Sequence, residues 1–458
     1  MGEVPGGLRH REHQAEEGGG GLRGKPVPRR RVHRLGLRHA RRGDGPRLHA
    51  LHHQPVRHRG PRDGHVGQRA LRPRGPRHLL RGSLEVLTRY AHINSVPNGS
   101  TGRIMMKEHL ALIDQGHESL ACWGRRRPAS SVSEYCFGSP ANFILDVGLT
   151  LLDGKVGFHS VRQTDALIHR LDEFGPDVVH LHNLHGYYLN IDKLFKWLIR
   201  SDCRVVWTLH DCWAFTGHCP YFTYSCCNQW KTGCGAKRCP QLMGYPPTIN
   251  SASCKWSYEV KRSIFTSLPS NRMTIITPSK WLAGLVACSY LSKYPIEVVH
   301  NTIDLNVFKP RSNSEVFSVK EKYGLDSRKI ILGVASPWSK RKGLSDFFAL
   351  ADKLDKSEYS VVLVGLSAKQ MRQLPPGVVG IPRTDSQIEL ASLYSSASVL
   401  FNPTYEDNYP TVNLEAEACG VPVVCYDVGG CSETLHRDDS KLVECGDVLS
   451  ASLLLAKY

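Results

Sequence analysis

From Leu84 onward, short runs of β-branched and other apolar residues alternate with stretches that carry apolar residues at helical spacing. This alternation is typical of a parallel sheet covered by helices, because strands that are buried on both faces are apolar throughout. The pattern predicts two sets of strands. They are 84–93, 177–182, 203–209, 273–277 and 296–299 in the first set, and 329–335, 360–365, 398–402 and 421–426 in the second.

Helices are predicted between these strands, at 102–115, 161–173, 190–200, 344–355 and 387–397. A polar, proline-containing stretch near 310–314 separates the two sets and is typical of a linker. We therefore expect an α/β protein of two doubly wound lobes, at 84–310 and 311–458, with a cleft between them. Ligands of such sheets bind beyond the carboxyl ends of the strands.

The first 83 residues differ in composition from the rest. They hold 20 basic and 6 acidic side chains, a net +14 of the chain's +17, so the remainder is nearly neutral and we expect no nucleic-acid partner. They contain nineteen Arg but one Lys, and no Ile, Phe, Tyr, Trp, Asn, Thr or Cys. Such a segment is expected to be disordered. We interpret 1–83 as GC-rich DNA read upstream of the true start or in the wrong frame; a basic nucleic-acid-binding arm is the alternative.

The strongest chemical signal lies in the segment 401–434. It places one acid, Asp407, on a predicted loop and a second, Glu415, in a helix predicted at 411–419. Asp407 could accept hydrogen bonds from sugar hydroxyls, and Glu415 could accept two from a ribose diol. The alternative is an ordinary surface helix with exposed acids.

The N-terminus of this predicted helix could bind a diphosphate, because its free backbone N–H groups carry a partial positive charge. A proline at the first helical turn supports this placement of the helix start. The residues expected to bind the donor here are Asn408, Tyr409, Pro410, Thr411, Val412 and Glu415.

This segment resembles the donor-site signature of glycosyltransferase family 4, whose members are retaining enzymes with the GT-B fold. In that family a pair of acids holds the nucleotide sugar, and the second acid is followed by Ala and shortly by Cys-Gly-x-Pro-Val-Val. The segments 176–186, 208–219, 278–285 and 298–310 also fit, so the resemblance covers about 84–450. It is strongest to members that build exopolysaccharides, of the colanic-acid kind.

The resemblance implies a cationic clamp for the donor diphosphate. Lys342 corresponds to the family's diphosphate-binding lysine, and with Asp407 it is expected among the catalytic residues. The arginine that the family usually carries six residues earlier is Ser336 here, which leaves Arg341 or Lys340 as its substitute. Fixed cations at this place would stabilise the charge that develops on the leaving diphosphate.

Further site residues are expected in the first lobe. Gly99 and Gly102 lie in a turn of small residues and would let backbone amides approach a phosphate or a sugar. The family places a histidine near the transferred sugar at the position of His182, for which a buried histidine without a role is the alternative. His210 and Asp211 are expected on the acceptor side, where Asp211 could orient or deprotonate a hydroxyl.

A cysteine-rich insert at 218–241 offers soft ligands for a structural zinc ion, although the spacing is irregular. The alternative is a loop of buried thiols packed with aromatic rings. We expect no cofactor and no catalytic metal, and zinc at the insert stays open. The cysteines concerned are Cys219, Cys226, Cys227, Cys234 and Cys239, and the aromatic residues are Tyr221, Phe222, Tyr224 and Trp230.

No stretch reaches the ~18 apolar residues that span a bilayer, and the N-terminus lacks the apolar region of a signal peptide. We therefore expect a cytoplasmic protein with reduced cysteines. The amphipathic stretch 190–200 could bring it to the anionic inner face of a membrane. An outer helix of the first lobe explains the same pattern.

Together these observations predict transfer of a hexose, with retention, from a UDP- or GDP-sugar to a glycan or a lipid-linked glycan in polysaccharide biosynthesis. The alternatives are a GT-B-fold sugar-nucleotide epimerase and a non-catalytic nucleotide-sugar-binding protein. Family members usually continue through further helices beyond the position of Tyr458, so the second lobe is expected to be truncated at its end.

We predict that deleting residues 1–83 leaves the melting temperature unchanged, because this segment has almost no large apolar side chains to bury. Thermal unfolding of the full chain and of the shortened chain, followed by circular dichroism, checks this. A lower melting temperature after deletion would mean that the segment packs on the protein, against the frame interpretation.

Overall fold

The protein is described by a computed structural model, which defines the structure of residues 87–125 and 128–458. Within these ranges a first sheet has seven strands, all paired in parallel, in the order β3-β2-β1-β4-β5-β6-β7. The strands are β1 (Arg89–Asn94), β2 (Glu118–Trp123), β3 (Glu134–Cys136), β4 (Val178–Leu181), β5 (Arg204–Thr208), β6 (Met273–Thr277) and β7 (Ile296–Val298).

The second sheet, in the same described ranges, has six parallel strands in the order β10-β9-β8-β11-β12-β13. The strands are β8 (Lys329–Val334), β9 (Tyr359–Val364), β10 (Val378–Ile381), β11 (Val399–Asn402), β12 (Val423–Tyr426) and β13 (Lys441–Val443). All six residues of β9 are buried, as expected for a central strand covered on both faces.

Helices connect these strands in both lobes. Those of the first lobe are α1 (Gly99–Asp114), α2 (Pro140–Asp153), α3 (Val161–Phe174), α4 (Ile191–Arg200), α5 (Ser253–Phe265) and α6 (Lys280–Ala287). Those of the second are α7 (Asn313–Lys322), α8 (Leu344–Ala351), α9 (Ala368–Met371), α10 (Gln387–Ser396), α11 (Thr411–Ala418) and α12 (Val448–Leu455).

Both strand orders are those of doubly wound, Rossmann-like sheets, which confirms the expected fold class. In each sheet the order reverses once, between β1 and β4 in the first and between β8 and β11 in the second. Loops that leave adjacent strands in opposite directions open a crevice at such a point, where ligands bind. The expected site residues follow these four strands and β5.

Four strands are absent from the prediction made on the sequence. Three of them, β3, β10 and β13, lie at sheet edges and are only three or four residues long, so they lack a long apolar run. The fourth, β2, is buried from Ser119 to Trp123 but contains no β-branched residue. The predicted strand at 84–93 begins later, at Arg89.

Helix α4 decides between the two interpretations of the stretch 190–200. Its apolar residues Leu194, Phe195 and Leu198 are at most 1% exposed and belong to the core of the first lobe. The outer-helix interpretation is therefore correct, and this face is not available to a membrane. None of the helices in the described part of the chain is long and apolar enough to cross a bilayer.

The expected lobe boundary near residue 310 stays a prediction. The strands of the first sheet end at Val298 and those of the second begin at Lys329. The segment 1–83, with its expected disorder, lies outside the described residues.

Candidate active site

The loops that follow β8 and β11 bring the predicted clamp together. Nζ of Lys342 lies 2.5 Å from Oδ2 of Asp407, and Nη1 of Arg341 lies 3.8 Å from the same oxygen. Burial opposes ionisation of Asp407, but the two cations outweigh it and hold the pKa of Asp407 below its usual value. Lys340 is exposed. Of the two candidate substitutes for the family's arginine, Arg341 is therefore the one at the acid.

Helix α11 places the second acid. The helix starts at Thr411, as predicted, and no side chain caps its N-terminus, so its first backbone amides stay available to an anion. Glu415 is buried, and one of its oxygens accepts a hydrogen bond of 2.9 Å from the hydroxyl of Tyr394. Burial raises the pKa of Glu415 to about 7. The surface-helix alternative fails, because Glu415 is buried and the side chain of Asp407 is only 17% exposed.

A pair of glycines after β12 lets the next loop pack against the acid loop. A Cβ atom at Gly429 would lie 2.0 Å from the carbonyl oxygen of Asp407, and one at Gly430 would lie 2.0 Å from that of Asn408. The amide of Gly430 donates to the carbonyl of Asp407 over 3.0 Å. Larger residues would push the acid loop away from its position.

Glu406, which the sequence did not single out, joins the acid loop to the first lobe. Its carboxylate is fully buried and accepts three backbone N–H groups of the cysteine-rich insert, from Phe222 at 3.1 Å, Thr223 at 2.8 Å and Tyr224 at 3.1 Å. Burial raises the pKa of Glu406, and these hydrogen bonds oppose that rise. Nearly two hundred residues of chain separate the partners, so no local pattern could reveal the contact.

Arg341 and Asn408 add to this connection. The guanidinium of Arg341 donates to the backbone carbonyl of Glu406 and lies 3.8 Å from the centroid of the Tyr221 ring. The side chain of Asn408 donates to the backbone carbonyl of His210. Two residues expected in the donor site therefore also hold the lobes together.

Tyr409, at the end of the acid loop, and Glu433, after β12, also contact the first lobe. The ring of Tyr409 stacks on His300 with 4.8 Å between centroids. The carboxylate of Glu433 accepts the amides of Lys280 and Trp281, at the N-terminus of α6, over 2.8 and 2.9 Å.

The small-residue turn after β1 is ordered by its glycines. Gly99 has a φ of +75°, which disfavours other residues, and it faces open space. Gly102 is buried, and a Cβ atom there would lie 2.5 Å from the carbonyl carbon of Pro97. Helix α1 starts at Gly99, three residues before the prediction, and has no side-chain cap. Gly102 thus has a packing role, and ligand binding by this turn stays a prediction.

Asp211 forms a pair with His185, which the sequence did not single out. Nε2 of His185 lies 2.8 Å from Oδ2 of Asp211, and Nδ1 lies 3.2 Å from the hydroxyl of Tyr245. The other oxygen of Asp211 accepts the amide of Trp213 over 2.9 Å. Burial opposes ionisation, yet His185 and these contacts lower the pKa of Asp211. An ionised carboxylate beside an imidazole can accept and pass on a proton.

The side chain of His182 is fully buried and contacts that of His210. Its Nδ1 is 3.2 Å from Nε2 of His210, and its Nε2 is 3.7 Å from Oε2 of Glu108. Burial and the neighbouring histidines lower the pKa of His182 well below its usual value. The position favours a supporting role behind His210 over direct contact with a transferred sugar.

The cysteine-rich insert packs as a small unit of thiols and aromatic rings. A cavity of about 10 Å³ is lined by Cys219, Cys227, Cys234, Cys239 and also Cys254 of α5, together with His218, Phe222 and Trp230. Contact with the thiols of Cys219 and Cys254 lowers the pKa of Cys239. Cys226 is exposed and does not line this cavity. Zinc at the insert therefore stays open, and the cysteines brought together differ from the expected set.

Comparison with known proteins agrees with this geometry. The model of glycosyltransferase family 4 matches residues 105–307, and that of glycosyl transferases group 1 matches residues 328–453. The chain belongs to glycosyltransferase family 4. The expected enzyme class is thereby confirmed at the level of the family.

Curated relatives of this family member are distant. WcaC of Escherichia coli K12, by its name a colanic acid biosynthesis glycosyl transferase, is 27% identical over 60% of this chain and 66% of its own length. Alpha-galactosylglucosyldiacylglycerol synthase of Streptococcus pneumoniae is 24% identical over 37% of this chain and 47% of its own length. The chain thus spans between about half and two thirds of these relatives.

Solved structures confirm the GT-B fold. Sucrose-phosphate synthase from Thermosynechococcus elongatus aligns with a TM-score of 0.58 at 15% identity, over 81% of this chain and 89% of that one. HepE of Anabaena, in complex with UDP-glucose, aligns with a TM-score of 0.55 at 13% identity over the same shares.

The raised pKa of Glu415 predicts that UDP-glucose binds more tightly as the pH rises from 6 to 8. Below about pH 7 the carboxyl is protonated, and one of its oxygens no longer accepts a hydrogen bond from the ribose. Affinity should fall toward lower pH by at most about tenfold per pH unit, and it should level off once the carboxyl is fully protonated. The esterified phosphates of UDP-glucose do not titrate in this range, so calorimetry at several pH values reports on the protein.

The matched control is Glu415→Gln, which should bind more weakly and with a flatter pH profile. An unchanged pH profile in that variant would assign the titration to another group.

Proposed function

We propose that the protein is a retaining glycosyltransferase that transfers a hexose from a UDP- or GDP-sugar to a glycan or a lipid-linked glycan in polysaccharide biosynthesis. Membership of the family and the similarity to WcaC support the reaction class and its biological setting. The complex of HepE with UDP-glucose favours UDP over GDP as the carrier.

One observation supports this proposal most strongly. Two cations, Lys342 and Arg341, lie at the partly buried acid Asp407, beside a helix N-terminus that has no side-chain cap. A nucleoside diphosphate needs positive groups for its phosphates and an acceptor for its ribose, and Glu415 lies one helical turn inside the same helix. The arrangement therefore suits a nucleotide sugar better than a neutral glycan alone.

In the proposed reaction the bond between the anomeric carbon and the diphosphate breaks, and the acceptor hydroxyl bonds to the same face of that carbon. Retention and this same-face displacement are family properties. Lys342 and the amides of α11 would stabilise the negative charge on the leaving diphosphate. Asp407, which contacts Lys342 at 2.5 Å, would orient both this cation and the hydroxyls of the transferred sugar.

The acceptor would enter on the side of the first lobe. Asp211 and His185 form a hydrogen-bonded pair there, and His210 is tied to the donor loop through its backbone carbonyl. The leaving phosphate would take the proton of the acceptor hydroxyl, and Asp211 would orient that hydroxyl. Helix α4 provides no apolar surface for a membrane, because its apolar face is buried in the first lobe.

Incubation of the purified protein with a panel of nucleotide sugars, with and without glycan acceptors, tests this function. The proposal expects a glycoside whose anomeric configuration matches that of the donor, and no such product from Asp407→Asn. Epimer formation, or tight donor binding without transfer to any acceptor, would favour one of the rival functions.

We predict that Lys342→Ala weakens the binding of UDP and of the sugar donor alike. A charge-assisted hydrogen bond contributes ~1.5–3 kcal/mol, so the affinity should fall about tenfold or more. The matched control is Lys340→Ala, which removes the same charge from an exposed neighbour and should change the affinity little. Both affinities are measured by calorimetry at low and high salt. Equal losses for the two substitutions would mean that Lys342 acts only through long-range electrostatic attraction and not through contact with a phosphate.

A further inference from the structure

Four side chains that take no part in the proposed transfer meet inside the first lobe. His92 on β1 and His180 on β4 are direct partners in the parallel register, and His182 follows two residues later, on the same side of the strand. Glu108 reaches them from α1. Its Oε2 lies 3.2 Å from Nδ1 of His180, 3.7 Å from Nε2 of His182 and 4.0 Å from Nδ1 of His92.

Most of these atoms lack a hydrogen bond although they are buried. Oε2 of Glu108, Nε2 of His182 and both ring nitrogens of His92 have almost no accessible surface and no hydrogen-bond partner within the described residues. The side chain of His182 is fully buried, and His92 is 1% exposed. Leaving such groups unsatisfied is costly, at ~1–3 kcal/mol each. Because one atom from each of the four side chains lies close to the other three, a single shared ligand could bind all four side chains.

We propose that His92, Glu108, His180 and His182 bind one divalent transition-metal ion, with zinc as the best match. One ligand atom from each residue lies within 4.8 Å of the other three. Zinc binds imidazole nitrogen and carboxylate oxygen at ~2.0–2.2 Å, so tetrahedral ligand atoms lie ~3.3–3.5 Å apart. The separations from the Glu108 oxygen, 3.2, 3.7 and 4.0 Å, lie near this value, and the longer separations within the set must shorten for all four atoms to bind one ion.

The outer contacts of two histidines aim the correct nitrogens at the ion. Nε2 of His180 lies 2.8 Å from the hydroxyl of Thr208, which leaves Nδ1 toward Glu108. Nδ1 of His182 lies 3.2 Å from Nε2 of His210, which leaves Nε2 toward Glu108. Metal-binding histidines usually donate their other ring N–H to such a partner, which fixes the tautomer and the ring orientation.

A hydrogen bond between a protonated Glu108 and His180 is the simpler rival. It satisfies one pair of atoms over 3.2 Å and leaves His92 and the inner nitrogen of His182 without a partner. A single ion binds one atom of each of the four side chains and leaves only Nε2 of His92 without a partner among these atoms. The side chain of Glu108 is 38% exposed, and this edge gives an ion a route from solvent.

The ion would have a structural and positioning role. It would tie β1, α1 and β4 together and hold His182 against His210, whose backbone carbonyl receives the side chain of Asn408. His182 would thus act through His210 as a positioning residue. The inference does not depend on the proposed function, because metal binding can be measured without any transfer assay.

Elemental analysis of the full chain, purified without chelator from zinc-containing medium, gives the first test. The proposal expects a bound ion that is lost on chelation and restored by zinc, with a higher melting temperature for the restored protein. Cobalt in its place should show the visible bands of a four-coordinate ion with nitrogen and oxygen ligands. Thiolate-to-cobalt charge-transfer bands would instead mark a site in the cysteine cluster.

Variants assign the ion to its ligands. Glu108→Gln should lower the metal content by one equivalent per chain and weaken zinc binding more than a hundredfold. Loss of a residue that only hydrogen-bonds to a ligand typically costs about 10–100-fold. Thr208→Val should fall within that 10–100-fold range. Two controls should keep the ion: Asp114→Asn, an exposed acid at the end of the same helix, and Cys239→Ser in the cysteine cluster.

The proposal is overturned if the protein binds no zinc at micromolar concentration, if Glu108→Gln binds it like the wild type, or if only Cys239→Ser loses the ion. His92→Gln serves as a second ligand variant should Glu108→Gln fail to fold. Absence of transfer activity in wild-type protein that holds the ion would speak against the proposed function and leave the metal site standing.

Discussion

The buried carboxylate of Glu406 is the contact on which the arrangement of the candidate site depends. A charged group inside a protein is costly unless hydrogen bonds satisfy it, and three backbone amides of the cysteine-rich insert do so here. The acceptor carboxylate belongs to the second lobe and the donors belong to the first. The next residue along the chain is Asp407, so this contact, together with those of Arg341 and Asn408, fixes the acid loop relative to the first lobe.

Several features of the chain follow from this constraint. Arg341 donates to the carbonyl of Glu406 and stacks on Tyr221, so it supports the loop while adding positive charge beside Asp407. The glycines at 429 and 430 give the loop room, because any side chain there would collide with its carbonyl groups. The cysteine-rich insert is therefore more than a surface elaboration. Its backbone amides form one wall of the junction between the lobes, and its thiols and rings keep those amides in place.

Much of the fold and of the donor side could be predicted from the sequence. The central strands carry unbroken apolar runs, and Glu415 sits on a helix with a clear start. The resemblance to the family placed Lys342 and Asp407 in one donor site, although 65 residues separate them. Edge strands escaped prediction because they are short and half exposed. The partners of Glu406, His185 and Glu108 escaped because they depend on contacts between distant segments. Only the spacing of His180 and His182, two apart on one strand, offered a local signal.

The central claim is that Glu406 holds the donor loop in a binding-competent position across the lobes. Glu417 offers a matched control, since its carboxylate also accepts backbone amides, of His436 at 2.8 Å and Arg437 at 3.3 Å, but within the second lobe. The most direct measurement is the affinity for UDP-glucose of Glu406→Gln and Glu417→Gln, at a temperature where both variants are folded. The account predicts that Glu406→Gln lowers the affinity about tenfold or more, because the side-chain NH2 of glutamine would face backbone N–H groups that need an acceptor. It predicts little change for Glu417→Gln. Wild-type affinity in Glu406→Gln, or an equal loss in both variants, would contradict it.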